Sequence, residues 1–188
     1  MPSHRFTRHI ALLPFLLAAL PACASPAPHP TTTGSPPEPH DATVAPVLKV
    51  IDGDTIRVDR SGVAVTVRIL GMDTPETHDP SKPVQCYGPT AARRAQQLLA
   101  GRSVGLTADP TQDRHDRYGR ELDYVWLPDG TLYDWLMIRD GFAHEYTYHR
   151  AYEYRAVFLA AQEQARAAGR GFWAASTCGG DTTKAAVQ

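Results

Sequence analysis

Asp54, Asp73 and Glu76 are three carboxylates set beside what read as strand ends. Asp54 closes an Asp52-Gly53-Asp54 turn, and Asp73 and Glu76 bracket Thr74-Pro75, whose proline stiffens the turn. Adjacent strand ends lie about 5 Å apart, so such side chains can converge. Converging carboxylates repel unless a cation sits between them. Ligands that are all oxygen favour a hard ion, Ca2+ or Mg2+. The plainer reading of Asp-Gly-Asp is a solvated turn. It is not an EF-hand loop, because the later acidic ligands are missing at their required spacing. Arg68 lies on the strand leading to Asp73, and Arg120 follows the polar stretch Asp116-Arg117-Tyr118-Gly119. Guanidinium groups grip phosphate oxygens in pairs and stabilise charge growing on a phosphorus centre. Each arginine alone is also compatible with an ordinary surface ion pair. Tyr146-Thr147-Tyr148 offers two rings for stacking on bases, or for packing a loop before the last helix.

These residues need a frame. Val47–Ile51, Thr55–Val58 and Val63–Leu70 read as strands, with turns at Asp52-Gly53-Asp54 and Ser61-Gly62. Pro89 opens a helix through Ala100, stopped by Gly101. Val104 and Leu106 alternate as a further strand, and Leu122–Leu127 is another, closed by Pro128-Asp129-Gly130. Leu132–Asp140 reads as a short helix, and the last helix runs from about Arg150 to Ala168. In that helix Tyr154, Phe158, Ala161, Ala165 and Ala168 form one apolar face. Five short strands with late helices predict an α+β fold, a small closed barrel capped by three helices.

Composition sets the outer limits. The 188 residues carry 19 Lys+Arg against 20 Asp+Glu and are 43% hydrophobic, which excludes a wholly disordered chain and a broad cationic surface. Only three basic residues are lysines (Lys49, Lys82 and Lys184), so phosphate chemistry must rest on a few placed arginines or a metal. The histidines fall mostly in loops and the early segment, without zinc spacing.

Arg5 and Arg8 precede an apolar stretch from Ile10 to Ala22 that ends in small residues, the pattern of an export signal over residues 1–24. Two exits fit: cleavage after Ala24, or a lipoprotein box with lipidation of Cys23. Residues 25–46 are rich in Pro, Thr, Ser, Ala and His and read as a flexible linker. The folded domain is expected over 47–178, with a flexible tail at 179–188. In an oxidising compartment Cys86 and Cys178 remain as an even pair, either bridged or as two buried thiols.

Val50-Ile51-Asp52-Gly53-Asp54-Thr55, Arg68, Asp73-Thr74-Pro75-Glu76-Thr77, Tyr87-Gly88-Pro89 and Asp116-Arg117-Tyr118-Gly119-Arg120 occur in order and, together, resemble the staphylococcal (micrococcal) nuclease or thermonuclease family. The resemblance covers roughly residues 47 to 175. It implies an oligonucleotide-binding-type (OB-fold) barrel and a Ca2+-dependent, sugar-nonspecific nuclease acting on DNA and RNA. Cleavage between phosphorus and the 5′-oxygen would leave 3′-phosphates. It further implies that Asp54, Asp73 and the Thr74 carbonyl ligate Ca2+, that Arg68 and Arg120 clamp the scissile phosphate, and that Glu76 orients or deprotonates the attacking water. Arg117, Tyr118, Tyr146 and Tyr148 match positions that hold a terminal phosphate and flank its base. Cys86 and Cys178 look like the pair bridged in some exported relatives. An exported monomer, outside the cell or anchored at Cys23 to the outer side of a membrane, completes the expectation. The alternative class is a nucleic-acid-binding barrel without catalysis, which typically lacks the carboxylates or arginines present here.

Overall fold

A computed structural model of the protein describes Met1, residues 34–77 and residues 83–186. The expected export signal and Cys23 lie outside the described residues. Among the described residues, seven strands and three helices follow in the order β1 (Thr43–Asp52), β2 (Thr55–Arg60), β3 (Val63–Ile69), β4 (Met72–Asp73), α1 (Gly88–Leu99), β5 (Ser103–Thr107), β6 (Glu121–Trp126), α2 (Tyr133–Arg139), β7 (His144–Glu145) and α3 (Arg155–Ala167), with a 3-10 turn at Gly171–Trp173. Five strands close a barrel in the order β1-β2-β3-β6-β5, and β4 and β7 form a separate two-stranded sheet. Four of the barrel pairings are antiparallel, whereas β3 runs parallel to β6 and sets Arg68 opposite Leu122. The expected α+β barrel with three helices is therefore present.

Strand alternation fills the barrel. Ile56, Val58, Val67 and Ile69 point inward and are buried, as are Val104, Leu106 and Val125, whereas Tyr124 and Trp126 are buried on the other face of the sheet against Tyr154. Each helix then lays one face on this core. In α1 the buried residues Ala91, Ala95 and Leu99 recur every fourth position, and in α3 Phe158, Ala161 and Ala165 do the same work. Tyr154 packs part-buried at the start of that stripe, whereas Ala168 falls at the helix end and is exposed. Among the described residues, no helix is long and apolar enough to cross a membrane.

Three boundaries differ from the sequence expectation. The barrel begins at Thr43, inside the stretch expected as linker, because Thr43–Pro46 pair with Ser103–Leu106 to close the β1–β5 seam. Helix α3 starts at Arg155 rather than near Arg150. The backbone before it is committed elsewhere: the Glu153 amide donates to Asp109, and the Ala151 carbonyl accepts from Thr111 and Gln112. Residues 179–186, expected as a flexible tail, are docked. Gln85 bridges Ala185, the Cys86 amide donates to the Lys184 carbonyl, and Thr182 is buried. Cys86 and Cys178 are joined by a disulfide across a sequence separation of 92. Around the bridge, Tyr87 packs its ring against Phe142 and Phe172 at centroid distances of 5.6 and 6.2 Å, holding a left-handed backbone (φ 70°) unusual for a tyrosine.

Candidate active site

The turn between β1 and β2 delivers Asp54, and its local chemistry is tightly specified. The Tyr133 hydroxyl, fully buried, donates to the Gly53 carbonyl at 2.7 Å, so helix α2 pins the turn from beneath. Gly53 lies so close to Thr74 that a Cβ there would meet Thr74 Cγ2 at 2.6 Å. Thr74 in turn donates twice to Asp54 Oδ2, from its amide at 3.0 Å and its hydroxyl at 3.1 Å, while Thr55 donates to Oδ1 at 2.9 Å. Asp54 is thereby held nine-tenths buried with both oxygens engaged.

Arg68 reaches the same place from β3. Its Nη1 donates to the Ile69 and Met72 carbonyls at 3.0 and 2.8 Å, which orients the guanidinium within the β3–β4 corner. Its Nη2 then approaches two carboxylates, Asp73 at 2.7 Å and Asp54 at 3.4 Å. Asp73 sits on the short strand β4, fixed by pairing with His144 of β7. That two-stranded sheet is too short to carry a periodic signal in the sequence. Gly71, with φ +70°, makes the turn into β4, and its carbonyl accepts from the Tyr146 amide and the Tyr152 hydroxyl. The same turn thus ties the Arg68–Asp73 strands to the tyrosine segment.

A cleft of about 530 Å³ opens beside this corner. Its walls bring together Arg68, Asp73, Arg117, Tyr118, Arg120, Tyr146 and Tyr148. Arg120 is aimed by Asp116, whose Oδ2 accepts from Arg120 Nε at 2.6 Å and whose Oδ1 accepts the Tyr118 and Arg120 amides at 2.9 Å. Those contacts outweigh burial and hold the Asp116 carboxyl below the usual carboxylate range. Arg117 and Arg120 lie over the Tyr118 ring at 4.7 and 5.3 Å, and Tyr146 and Tyr148, 6.2 Å apart, line the same cleft. All three rings are exposed, and those of Tyr146 and Tyr148 carry no guanidinium over them. Asp54, Thr74 and Glu76 are not among the described residues that line this cleft. Asp54 joins it through Arg68. Glu76 shares a hydrogen bond with Asp52, beside Asp54.

Asp52 had no role in the sequence reading. It is buried, accepts from the Gly53 amide at 2.9 Å and the Thr77 hydroxyl at 3.1 Å, and sits against the Asp54 and Glu76 charges. Burial, first, and those two carboxylates push its carboxyl up to about 6, against the pull of the Gly53 amide. Arg114 and Asp123 were also missed. Asp123, wholly buried, pairs with Arg60 at 2.6 Å and Arg114 at 2.5 Å, anchoring to the barrel the loop that carries Asp116–Arg120. Its only sequence signal was an acidic residue at an inward strand position.

The metal donors expected from the sequence, the Asp54 and Asp73 carboxylates and the Thr74 carbonyl, are an all-oxygen set that would suit a hard divalent ion. Among the described residues, no group of three His, Cys, Asp or Glu side chains is arranged to hold a metal. A site built from the expected set would offer two side-chain carboxylates and would draw its remaining ligands from main-chain oxygen and water. That Arg68 Nη2 already lies between both carboxylates shows that they face a common point of positive charge.

Residues 66–175 match the family model described as staphylococcal nuclease homologue. The thermonuclease of Staphylococcus hyicus is 39% identical over 127 residues, covering 68% of this chain and 73% of the relative. The chain belongs to the staphylococcal nuclease family. The thermonuclease of Staphylococcus intermedius is 38% identical over 127 residues, with 68% and 74% covered, and endonuclease YncB of Bacillus subtilis (strain 168) is 36% identical over 129 residues, with 68% and 60% covered. The span matched to the staphylococcal nuclease family model runs from within β3 through α3, and hence takes in both arginines, Asp73 and the tyrosine segment.

Proposed function

We propose that this protein is a Ca2+-dependent nuclease that hydrolyses phosphodiester bonds of DNA and RNA on the 5′-oxygen side. The single observation that carries the reading is that Arg68, Asp73 and Arg120 share one cleft with the exposed tyrosines. Arg68 and Arg120 donate to the non-bridging oxygens of the scissile phosphate and stabilise the charge that grows there. A phosphate reaching Arg68 competes with Asp73 and Asp54 for Nη2, which couples phosphate capture to neutralisation of those carboxylates. Asp54, Asp73 and the Thr74 carbonyl would hold Ca2+, which when bound would supply positive charge against the carboxylates and Lewis-acid polarisation of the phosphoryl group. Glu76 orients the attacking water and takes its proton. The water oxygen bonds to phosphorus, the bond to the 5′-oxygen breaks, and the departing oxygen gains a proton, leaving a 3′-phosphate and a 5′-hydroxyl. Tyr118, Tyr146 and Tyr148 stack on the flanking bases, which need to be unpaired to reach them, and Arg117 holds a neighbouring phosphate.

The disulfide supports export to an oxidising compartment. The test of the function is digestion of single-stranded DNA and RNA with Ca2+, with EGTA and with end-group analysis. Activity abolished by EGTA and restored by Ca2+, with 3′-phosphate products, is expected. Cleavage that persists in chelator, or 5′-phosphate products, contradicts the assignment.

A further inference from the structure

The chain beyond Cys178 is built into the molecule. The Gly180 amide donates to the Phe172 carbonyl at 2.9 Å, and Thr182 Oγ1 lies 3.1 Å from His144 Nε2. The Lys184 carbonyl accepts from Cys86 at 2.7 Å, and the Ala186 amide donates to Val84 at 2.8 Å. Residues 184–186 thus lie antiparallel to 84–86, and the Cys86–Cys178 bridge fastens the strap at its root.

The other side of the clasped segment faces Glu76. The Gln85 amide donates to the Glu76 carbonyl at 3.0 Å, and Gln85 Oε1 accepts the Glu76 amide at 2.7 Å. One residue therefore satisfies both polar groups of the Glu76 backbone. Gln85 has little freedom of its own, because its carbonyl accepts from Gly88 at the start of α1. The strap also touches the second arm of the site, since Thr182 meets His144, the residue paired with Asp73.

We propose that Gln85 is the positioning residue for Glu76, and that the strap 178–186 sets Gln85, so that the C-terminal segment belongs to the catalytic unit. The inference rests on the role given above to Glu76. A carboxylate that must meet a water in line with a phosphorus centre tolerates little displacement, and a shift near 1 Å costs on the order of 100-fold in rate.

The test uses two independent lesions: Gln85→Leu, which removes the side-chain acceptor, and a stop after Gly180, which removes the part of the strap that lies on 84–86 but keeps the disulfide. Each is made alone and with Glu76→Gln, and folding is checked by circular dichroism and urea titration. For folded Gln85→Leu and truncated protein, kcat on a short single-stranded oligonucleotide is expected to fall about 10- to 100-fold. KM is expected to stay within about twofold, because neither lesion removes a residue that lines the cleft. In the Glu76→Gln background neither lesion is expected to cost more than about a further twofold, the mark of action through one residue. Unchanged kcat in either folded variant overturns the proposal, as does the same fractional loss with and without Glu76. Full activity of Glu76→Gln alone instead overturns the role assigned to Glu76, and the two failures are separately visible. If the truncated chain does not fold, Gln85→Leu decides.

Discussion

Gly53→Ala is the sharpest probe of how the site is built. The added Cβ would meet Thr74 at 2.6 Å (Cγ2), 2.8 Å (Oγ1) and 2.9 Å (Cβ), whereas ordinary contact begins at 3.4 Å. Thr74 must therefore retreat by about 0.8 Å, and it is a threonine on a proline-stiffened turn, not the far end of a flexible side chain. Thr74 holds Asp54 by bonds of 3.0 and 3.1 Å, so such a retreat stretches both beyond useful length. Overpacking of this kind costs ~1–3 kcal/mol. For a chain of this size that corresponds to a fall in Tm of roughly 3–10 °C. The carboxylate displaced is one assigned to the metal, so Ca2+ affinity falls with it, and kcat drops on the order of 10- to 100-fold. Thermal unfolding with and without Ca2+, together with the Ca2+ concentration giving half-maximal activity, reads out both effects. A Gly53→Ala protein with unaltered Tm and unaltered Ca2+ requirement refutes the close approach of these two turns as the device that fixes Asp54.

Arg68→Lys and Arg120→Lys keep the charge but lose the planar fork, and each is expected to lower kcat by about 100-fold or more without unfolding the protein, measured by steady-state hydrolysis. Tyr148→Ala removes an exposed stacking face and is expected to raise KM about tenfold, in line with ~1–3 kcal/mol per stacked base, while kcat on a short oligonucleotide holds. Asp109 bears on acid stability. Burial raises its carboxyl, but the Glu153 amide, the Thr111 hydroxyl and amide and the Tyr124 hydroxyl together hold it below 3.8. A depressed carboxyl stabilises the fold above its unfolded value and loses that contribution as pH falls through the lower folded value. Asp109→Asn is therefore expected to cost ~1–3 kcal/mol at pH 7 and to flatten the loss of stability below pH 4, as urea titrations across pH would show. An unchanged acid limb in that variant would remove Asp109 from the account.

What was legible in the sequence follows a physical line. Barrel strands with inward β-branched residues, such as Thr55–Arg60 and Val63–Ile69, announce themselves because alternation and burial coincide. The site residues on those strands and their turns, Asp54, Arg68 and Asp73, were legible for the same reason: register fixes where their side chains leave the sheet. The β4–β7 sheet was not legible, because two-residue strands have no period. The docked tail escaped notice because residues 179–186 are held by main-chain bonds to Val84 and Cys86, which any sequence could make. Asp52 was hidden in plain sight as a turn residue. Only the burial of its carboxyl between Asp54 and Glu76 distinguishes it from its solvated kind.

The Cys86–Cys178 crosslink has a topological consequence. It makes one covalent ring of everything between α1 and the 3-10 turn, and the exposed 110–120 loop, which carries Arg117 and Arg120, lies on that ring. A protease that nicks this loop once cannot set a fragment free. The arginine-bearing half stays leashed to the half that carries Asp54, Arg68 and Asp73, so a clipped molecule keeps every part it needs to reassemble until a thiol opens the ring.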